Sequence, residues 1–277
     1  FPILKRSPWL ITAAAYLAGA IVFLWPMPAE IMSKVWGDRF DAWTTLWLID
    51  HLAIRIETWN WDPITTDILF PIGYNLWSFG HMALQLFGGL LVALGIPLVL
   101  SYNLLLLLGV WTSALGAHAL ARELTGSHRA AFVAGTTFCT TPYLYAEGGA
   151  GCIELVAAGL LPLFALCLVR LMRMPCRRRF IQATLSLAII GLFNWYYTLF
   201  AGMFGVAFLV WQLIEIGPSS LGTDRHAIHR KGLIMSVAAM VLAAALNAPL
   251  ISEARRETPE RPGLSAALFA DEVAFEE

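Results

Sequence analysis

The sequence predicts an all-α fold, a polytopic transmembrane bundle of about seven spans with a large outer first loop. Three observations support this prediction: 58% of the 277 residues are hydrophobic, only 13% are charged, and the apolar residues occur in long uninterrupted runs. A soluble domain is about a quarter charged, and a run of about 20 apolar residues is long enough to cross a bilayer. The lipid bilayer is therefore the first partner that we expect, and no nucleic-acid partner is expected.

The first 100 residues contain one clear span and then a long mixed region. Residues 9–25 form an apolar run that can cross the membrane with little tilt, and two prolines end it. Residues 42–57 are helical in pattern but too polar for a span, so they suit an interfacial helix. Residues 82–100 are apolar but interrupted by glycines and a proline, which is typical of either a span or a broken, membrane-embedded helix.

Six further apolar runs are predicted to span the membrane: residues 103–120, 130–143, 152–172, 180–193, 196–214 and 233–251. The densest basic cluster follows the third of these runs, so that connector is predicted to be cytoplasmic: Arg170, Arg173, Arg177, Arg178 and Arg179. Successive spans place their connectors on alternate sides of the membrane, and the basic amino-terminal residues are predicted to be cytoplasmic. Counting from both, the chain must be on the outer side of the membrane both before and after residues 82–100. That tract is therefore not a complete crossing.

These assignments give a single transmembrane domain over residues 1–277 with a cytoplasmic amino terminus. Residues 29–100 are predicted to be the first extracytoplasmic loop, with two helices that lie in or dip into the membrane. Residues 101–251 are predicted to be a six-helix region, and residues 252–277 an outer tail. The four cysteines show no metal-ligand spacing and are predicted to behave as small hydrophobes.

The charge pattern narrows the chemistry to the outer face. Carboxylates gather there, whereas the inner face carries mainly arginine and lysine. The spans are almost free of charge, which weighs against ion-coupled transport. No phosphate-binding loop, zinc-protease motif or serine-hydrolase elbow occurs, so nucleotide chemistry and these hydrolase classes are not expected.

Two carboxylates after the first span are the candidate catalytic residues, Asp38 and Asp41. Asp38 follows Gly37, where the backbone can turn sharply and present the side chain to a cavity. It is the stronger candidate for a general base. Asp41 stands where the interfacial helix is predicted to begin, so it has an alternative structural role as the N-cap.

The candidate substrate-binding residues lie on the same predicted face: Arg39, His81, Glu147, Glu154, Arg255 and Arg256. Carboxylate oxygens can also hold a divalent cation such as Mg²⁺ or Mn²⁺. The sequence does not assign metal ligands, and the cofactor stays open.

Four passages carry a resemblance to a known family. They are the acidic stretch 36–41, the Tyr-Asn-Leu start of the next span at 102–104, the short basic turn at 119–131, and the Thr-Pro-Tyr stretch that leads to Glu147. The Asn-Trp-Tyr-Tyr stretch at 194–197 has Asn where bacterial members often have Asp. In this order, these passages resemble the GT-C superfamily of integral-membrane glycosyltransferases, including its uncharacterised bacterial members.

The resemblance implies a polyprenyl-phosphate-linked sugar donor, an acceptor that is a glycan, a lipid or a protein, and an active site on the extracytoplasmic side of the bacterial inner membrane. It implies that a first-loop aspartate acts as the base or lies near a metal, which here is Asp38 or Asp41. The second acidic motif of the family is reduced to Glu147 and Glu154. Relatives have more spans and often a carboxy-terminal domain, so this chain is expected to be an amino-terminal portion.

Two other classes of function remain open at this point. One is a membrane transporter or flippase of lipid-linked sugars, and the other is a non-catalytic assembly protein of the cell envelope, since a fold alone does not fix function. Sugar transfer by the purified protein separates the enzyme from both.

Overall fold

A computed structural model describes residues 8–37, 40–71, 73–80, 82–215 and 223–254. The described chain is mostly helical. Its helices are α1 Pro8–Phe23, α2 Phe40–Glu57, α3 Met82–Ala93, α4 Leu98–Thr125, α5 His128–Cys139, α6 Pro142–Ala150, α7 Ile153–Val156, α8 Leu160–Arg173, α9 Arg177–Phe193, α10 Trp195–Glu215 and α11 Thr223–Ala254.

A few shorter elements interrupt the helices. Two single 3₁₀ turns occupy Met27–Glu30 and Leu76–Phe79. The strands β1 Ile64–Thr65 and β2 Tyr74–Asn75 pair antiparallel and form a two-residue ladder. The fold is therefore helical as predicted, with one small hairpin in the region where the sequence predicted only a loop.

Four helical segments are long and apolar enough to cross a membrane: Leu98–Thr125, Ile153–Arg173, Trp195–Ile214 and His226–Ala254. Each coincides with one of the predicted spans. The remaining three predicted spans correspond to α1, α5 and α9, with 16, 12 and 17 residues. A complete crossing of hydrocarbon takes about 20 helical residues.

Prolines account for the places where the predicted boundaries were wrong. The predicted span 130–143 stops at Cys139, because Pro142 opens the separate helix α6. Residues 82–100 are divided between α3 and α4 by a turn at Gly95 and by Pro97, the N-cap of α4. α2 begins at Phe40, so Asp41 lies in its first turn and is not its N-cap.

α4 is the central helix of the larger core, since it packs against α1, α3, α5, α7 and α8. Its buried residues Tyr102, Leu106 and Val110 belong to the same apolar cluster as Tyr16 and Ala20 of α1. Further along, a Cβ atom on Gly116 would lie 2.2 Å from the carbonyl oxygen of Gly159. Small residues allow such close backbone approach, which is how helices associate in lipid.

A second apolar cluster joins α8, α9, α10 and α11. In the span segments of α10 and α11, only 22% of the residues are buried inside the described chain. Most of their apolar surface therefore faces outward, as is expected of helices that contact lipid.

The segment between α2 and α4 contacts both its neighbours in sequence and the distant helix α11. α3 packs on α2 and α4. The Asn75 side chain donates to the Glu253 carbonyl oxygen at 2.7 Å, and the Ser78 hydroxyl donates to the Ala254 carbonyl oxygen at 3.1 Å. These bonds join the segment to the last two described residues of α11. The segment is therefore a packed part of the fold.

Candidate active site

The backbone that leads into α2 is held by two side chains from the start of α4. Asn103 is fully buried; its Oδ1 accepts from the Trp36 amide at 3.2 Å, and its Nδ2 donates to the Ile31 and Lys34 carbonyl oxygens at 2.9 and 2.8 Å. The Tyr102 hydroxyl donates to the Trp36 carbonyl oxygen at 3.2 Å. Four hydrogen bonds therefore fix this loop, although no regular secondary structure does.

The same loop and the start of α2 pack against the end of α6. Gly37 has φ of +113°, and a Cβ there would lie 2.8 Å from the Gly149 carbonyl oxygen. A Cβ on Gly151 would lie 2.1 Å from the Ala42 nitrogen, and the Thr45 hydroxyl donates to the Gly151 carbonyl oxygen at 3.0 Å. Glycine is required for both approaches. The fold thus brings the two acidic segments of the sequence together.

Cys152 lies close to the carboxylates of Asp41, Glu147 and Glu154. Its thiol donates to Oδ2 of Asp41, with 3.6 Å between sulfur and oxygen. Burial raises the pKa of the Cys152 thiol to about 12, and the nearby carboxylates of Glu154, Asp41 and Glu147 add to this rise. A negative neighbour disfavours the thiolate, so three carboxylates predicted as site residues act on one thiol. We call Asp41, Glu147, Cys152 and Glu154 the carboxylate cluster.

The members of the carboxylate cluster differ in exposure. Asp41 is exposed, Glu147 is half-buried, and Glu154 is buried with 7% of its surface exposed. The side-chain amide of Gln85 in α3 donates to Oε2 of Glu154 at 3.3 Å. An exposed carboxylate is accessible to the hydroxyl of a substrate, whereas a buried and hydrogen-bonded one is better suited to hold a fixed position.

Two tyrosines extend the site toward α10. The Tyr197 hydroxyl donates to the Leu155 carbonyl oxygen, and it lies 3.5 Å from the Tyr143 hydroxyl. Burial raises the pKa of Tyr143, and Glu147 also contributes to the rise. At the base of α10, the Asn194 side chain accepts from the Tyr197 amide at 3.1 Å. Asn194 thus has a structural role in the Asn-Trp-Tyr-Tyr stretch as a cap of α10.

The structure describes three of the predicted site residues, Asp41, Glu147 and Glu154, and all three belong to the carboxylate cluster. The other five predicted residues lie outside the described chain: Asp38, Arg39, His81, Arg255 and Arg256. Cys152 is not only a small hydrophobe, as the sequence suggested, because it contacts Asp41.

Metal binding was left open by the sequence. Within the described residues, no three histidine, cysteine, aspartate or glutamate side chains are grouped closely enough to hold a metal ion. The carboxylates of the cluster can accept hydrogen bonds from hydroxyl groups, and an ionised carboxylate can also take a proton from a hydroxyl.

Comparisons with known protein families and with characterised proteins gave no match. The class that fold and site define is thus a helical protein with four membrane-length helices and a carboxylate cluster at one end of its central helix.

Proposed function

We propose that this protein transfers a sugar from a polyprenyl-phosphate-linked donor to a hydroxyl of a glycan, lipid or protein acceptor. The single observation that supports the proposal is the convergence on Cys152 of Asp41 from α2 with Glu147 and Glu154 from the α6–α7 region. A carboxylate can act as the general base for transfer to a hydroxyl, and Asp41 of the cluster is exposed to solvent.

The proposed reaction forms one bond to the sugar and breaks one. The acceptor oxygen forms a bond to the anomeric carbon of the sugar, the bond from that carbon to the phosphate oxygen breaks, and polyprenyl phosphate leaves with the bonding electrons. The acceptor proton goes to a carboxylate of the first loop. Asp38 and Asp41 are the two candidates, and Asp41 is exposed in the first turn of α2.

We also propose that the cluster faces the outside of the cell. At one end of α4, Tyr102 and Asn103 hold the loop beside the cluster. At the other end, Glu123 accepts from Arg170 at 2.7 Å and from Arg173 at 3.1 Å. A 28-residue helix is about 42 Å long, more than the hydrocarbon thickness. The arginine-rich end is cytoplasmic under the positive-inside rule, which leaves the cluster outside.

In this topology α1, α9 and the path formed by α5 with α6 complete about seven crossings of the inner membrane, and the region of α2 and α3 is the outer loop. Cysteine-accessibility labelling in intact cells tests it. A cysteine in place of Glu147 is expected to react with an impermeant maleimide, and cysteines in place of Arg122, Arg178 or Lys231 are expected to be protected. Labelling of position 178 from outside would contradict the orientation.

The assay for function uses the purified protein in lipid nanodiscs with a panel of polyprenyl-phosphate sugars and hydroxyl acceptors. Formation of a glycosylated acceptor supports the proposal. Movement of the lipid-linked sugar or of a solute across a liposome bilayer, without transfer, would support the transporter or flippase class instead. Absence of both activities in a folded protein would support the assembly-protein class.

A further inference from the structure

A cleft of about 660 Å³ lies on the other side of the loop that leads into α2. Its walls come from that loop, from one face of α2 and from the first turn of α4; they are Ser33, Lys34, Val35, Gly37, Trp43, Leu46, Trp47, Asp50, Leu98 and Val99. The volume falls within the range of about 300–1,000 Å³ that is usual for small-molecule sites. We call it the Trp43 cleft.

Two tryptophans and one aspartate of the Trp43 cleft lie on the same face of α2. Trp43, Trp47 and Asp50 follow one another at spacings of four and three residues, which brings them to the same side of α2. The Trp43 ring is 69% exposed. Asp50 is exposed and has neither a hydrogen bond nor an ion pair with any residue in the described ranges.

The charges of the cleft disfavour an anionic ligand. The ammonium group of Lys34 is paired with the Glu30 carboxylate at 2.8 Å, so its charge is already compensated. The Asp50 carboxylate is then the uncompensated charge of the lining, and it repels a phosphate. An acyl chain would contact the tryptophan rings but give the Asp50 carboxylate no hydrogen-bond donor, so it would match only part of the lining.

A neutral, hydroxyl-rich ring matches both kinds of lining group. The exposed flat indole of Trp43 offers apolar contact area to the C–H face of a sugar ring, and Trp47, whose ring stacks on His51 at 4.8 Å, adds an apolar wall. The Asp50 carboxylate accepts hydrogen bonds from hydroxyl groups at no cost in charge repulsion.

We propose that the Trp43 cleft binds a neutral hexose unit. Gly37 joins the cleft to the carboxylate cluster, since it lines the cleft and its α-carbon faces the Gly149 carbonyl oxygen beside the cluster. We assign the bound hexose to the acceptor, and this second step rests on the proposed transferase function. The cleft then holds the acceptor sugar while its free hydroxyl reaches the cluster.

The binding test does not depend on transfer. Wild-type protein in nanodiscs is titrated with methyl glycosides of glucose, mannose, galactose and N-acetylglucosamine, and tryptophan fluorescence or calorimetry reports binding. We expect at least one glycoside to bind, and Trp43→Ala or Asp50→Asn to weaken its affinity at least tenfold. Trp59→Ala and Glu57→Gln are matched controls, since both residues are exposed and outside the cleft lining, and they are expected to leave affinity unchanged.

Three results would overturn the cleft as a hexose site: no glycoside binds the folded wild-type protein, affinity is equal in wild type and Trp43→Ala, or inorganic phosphate displaces the glycoside. The acceptor assignment is tested separately in the transfer assay. A raised KM for acceptor in Trp43→Ala, with the KM for donor unchanged, supports it; equal KM values overturn it. Glycoside binding that depends on Trp43, in a protein without transfer, supports the cleft and contradicts the proposed function.

Discussion

The side-chain amide of Gln85 donates a hydrogen bond to the carboxylate of Glu154, with 3.3 Å between Nε2 and Oε2. Gln85 belongs to α3 and Glu154 to α7, and both side chains are buried. A buried carboxylate that loses a donor carries more of its desolvation penalty uncompensated. The bond therefore stabilises the contact of α3 with the cluster and holds Glu154 in position.

We expect Gln85→Leu to lower the free energy of unfolding by about 1–3 kcal/mol, because it leaves the Glu154 carboxylate without this donor. Stability in detergent or nanodiscs, measured by thermal or chemical unfolding, checks the value. Gln212→Leu on α10 is the matched control and is expected to change stability by less than about 0.5 kcal/mol, since Gln212 is only half-buried. Equal stability of wild type and Gln85→Leu would contradict the role of this bond.

Asn103→Ala is expected to destabilise the protein by roughly 2–4 kcal/mol, because it removes three hydrogen bonds worth about 1 kcal/mol each. Tyr102→Phe removes one bond to the same loop and is expected to cost about 1 kcal/mol. If the proposed function holds, transfer also falls in both variants, in the order Asn103→Ala below Tyr102→Phe. A fully stable Asn103→Ala protein would mean that the loop is held by other contacts.

The Cys152 thiol provides a reporter of the carboxylate cluster. With its pKa raised to about 12, Cys152 carries very little thiolate at neutral pH, so it is expected to react with maleimide much more slowly than the exposed Cys176. Removal of a neighbouring negative charge lowers the thiol pKa. In a single-cysteine background, Glu154→Gln and Asp41→Asn are therefore each expected to speed alkylation of Cys152 at pH 8, and the rate to rise with pH.

The control for the reporter experiment is a variant that removes a carboxylate far from the cluster. Glu123→Gln, at the opposite end of α4, is expected to leave the alkylation rate of Cys152 unchanged. A rate that is insensitive to Glu154→Gln and Asp41→Asn would show that these carboxylates do not act on the thiol.

A pH-sensitive contact at His51 joins α2 to the segment that follows it. Its Nε2 accepts from Nε of Arg55 at 2.6 Å, and its Nδ1 lies 3.1 Å from Oδ2 of Asp67. Burial and the Arg55 charge lower the pKa of His51, and the carboxylates of Asp67 and Asp50 only partly offset this. The unfolded segment therefore binds a proton first as pH falls below about 6.5, so the contact is stable above that pH and is lost as pH falls through the lowered pKa.

Hydrogen exchange of the amides in residues 58–71 is expected to quicken between pH 7.5 and pH 5, after correction for intrinsic rates. His51→Gln preserves an acceptor for Arg55 and a donor for Asp67 but does not titrate, so it is expected to abolish this dependence. The same pH dependence in wild type and His51→Gln would assign it to other groups.

The long apolar runs predicted most helices closely, as the prediction of residues 196–214 for α10 illustrates. Runs interrupted by proline were the exception, because average apolarity continues across a break that the backbone makes at a single residue. This is why residues 130–143 were assigned to one element; for residues 82–100 the glycines and the proline already indicated a broken helix as one alternative.

At the site, charge and topology were enough to bring Asp41, Glu147 and Glu154 to one face. Gln85 and Asn103 could not be found in this way. Each is a single amide in an apolar helix with no periodic signal, and its partners lie 67 or more residues away: Gln85 is 69 residues from Glu154, and Asn103 is 67 from Trp36 and 69 from Lys34. Such pairings depend on which helices become neighbours, which local pattern does not encode.

The most direct test is sugar transfer by wild type and by the double variant Asp38→Asn/Asp41→Asn, both purified into nanodiscs and shown to be equally folded. A general base contributes about 10²–10⁴-fold to rate. We therefore predict transfer by wild type from at least one polyprenyl-phosphate sugar, and a loss of at least about 100-fold in the double variant. Equal transfer rates in the two proteins would contradict a catalytic role for the first-loop carboxylates.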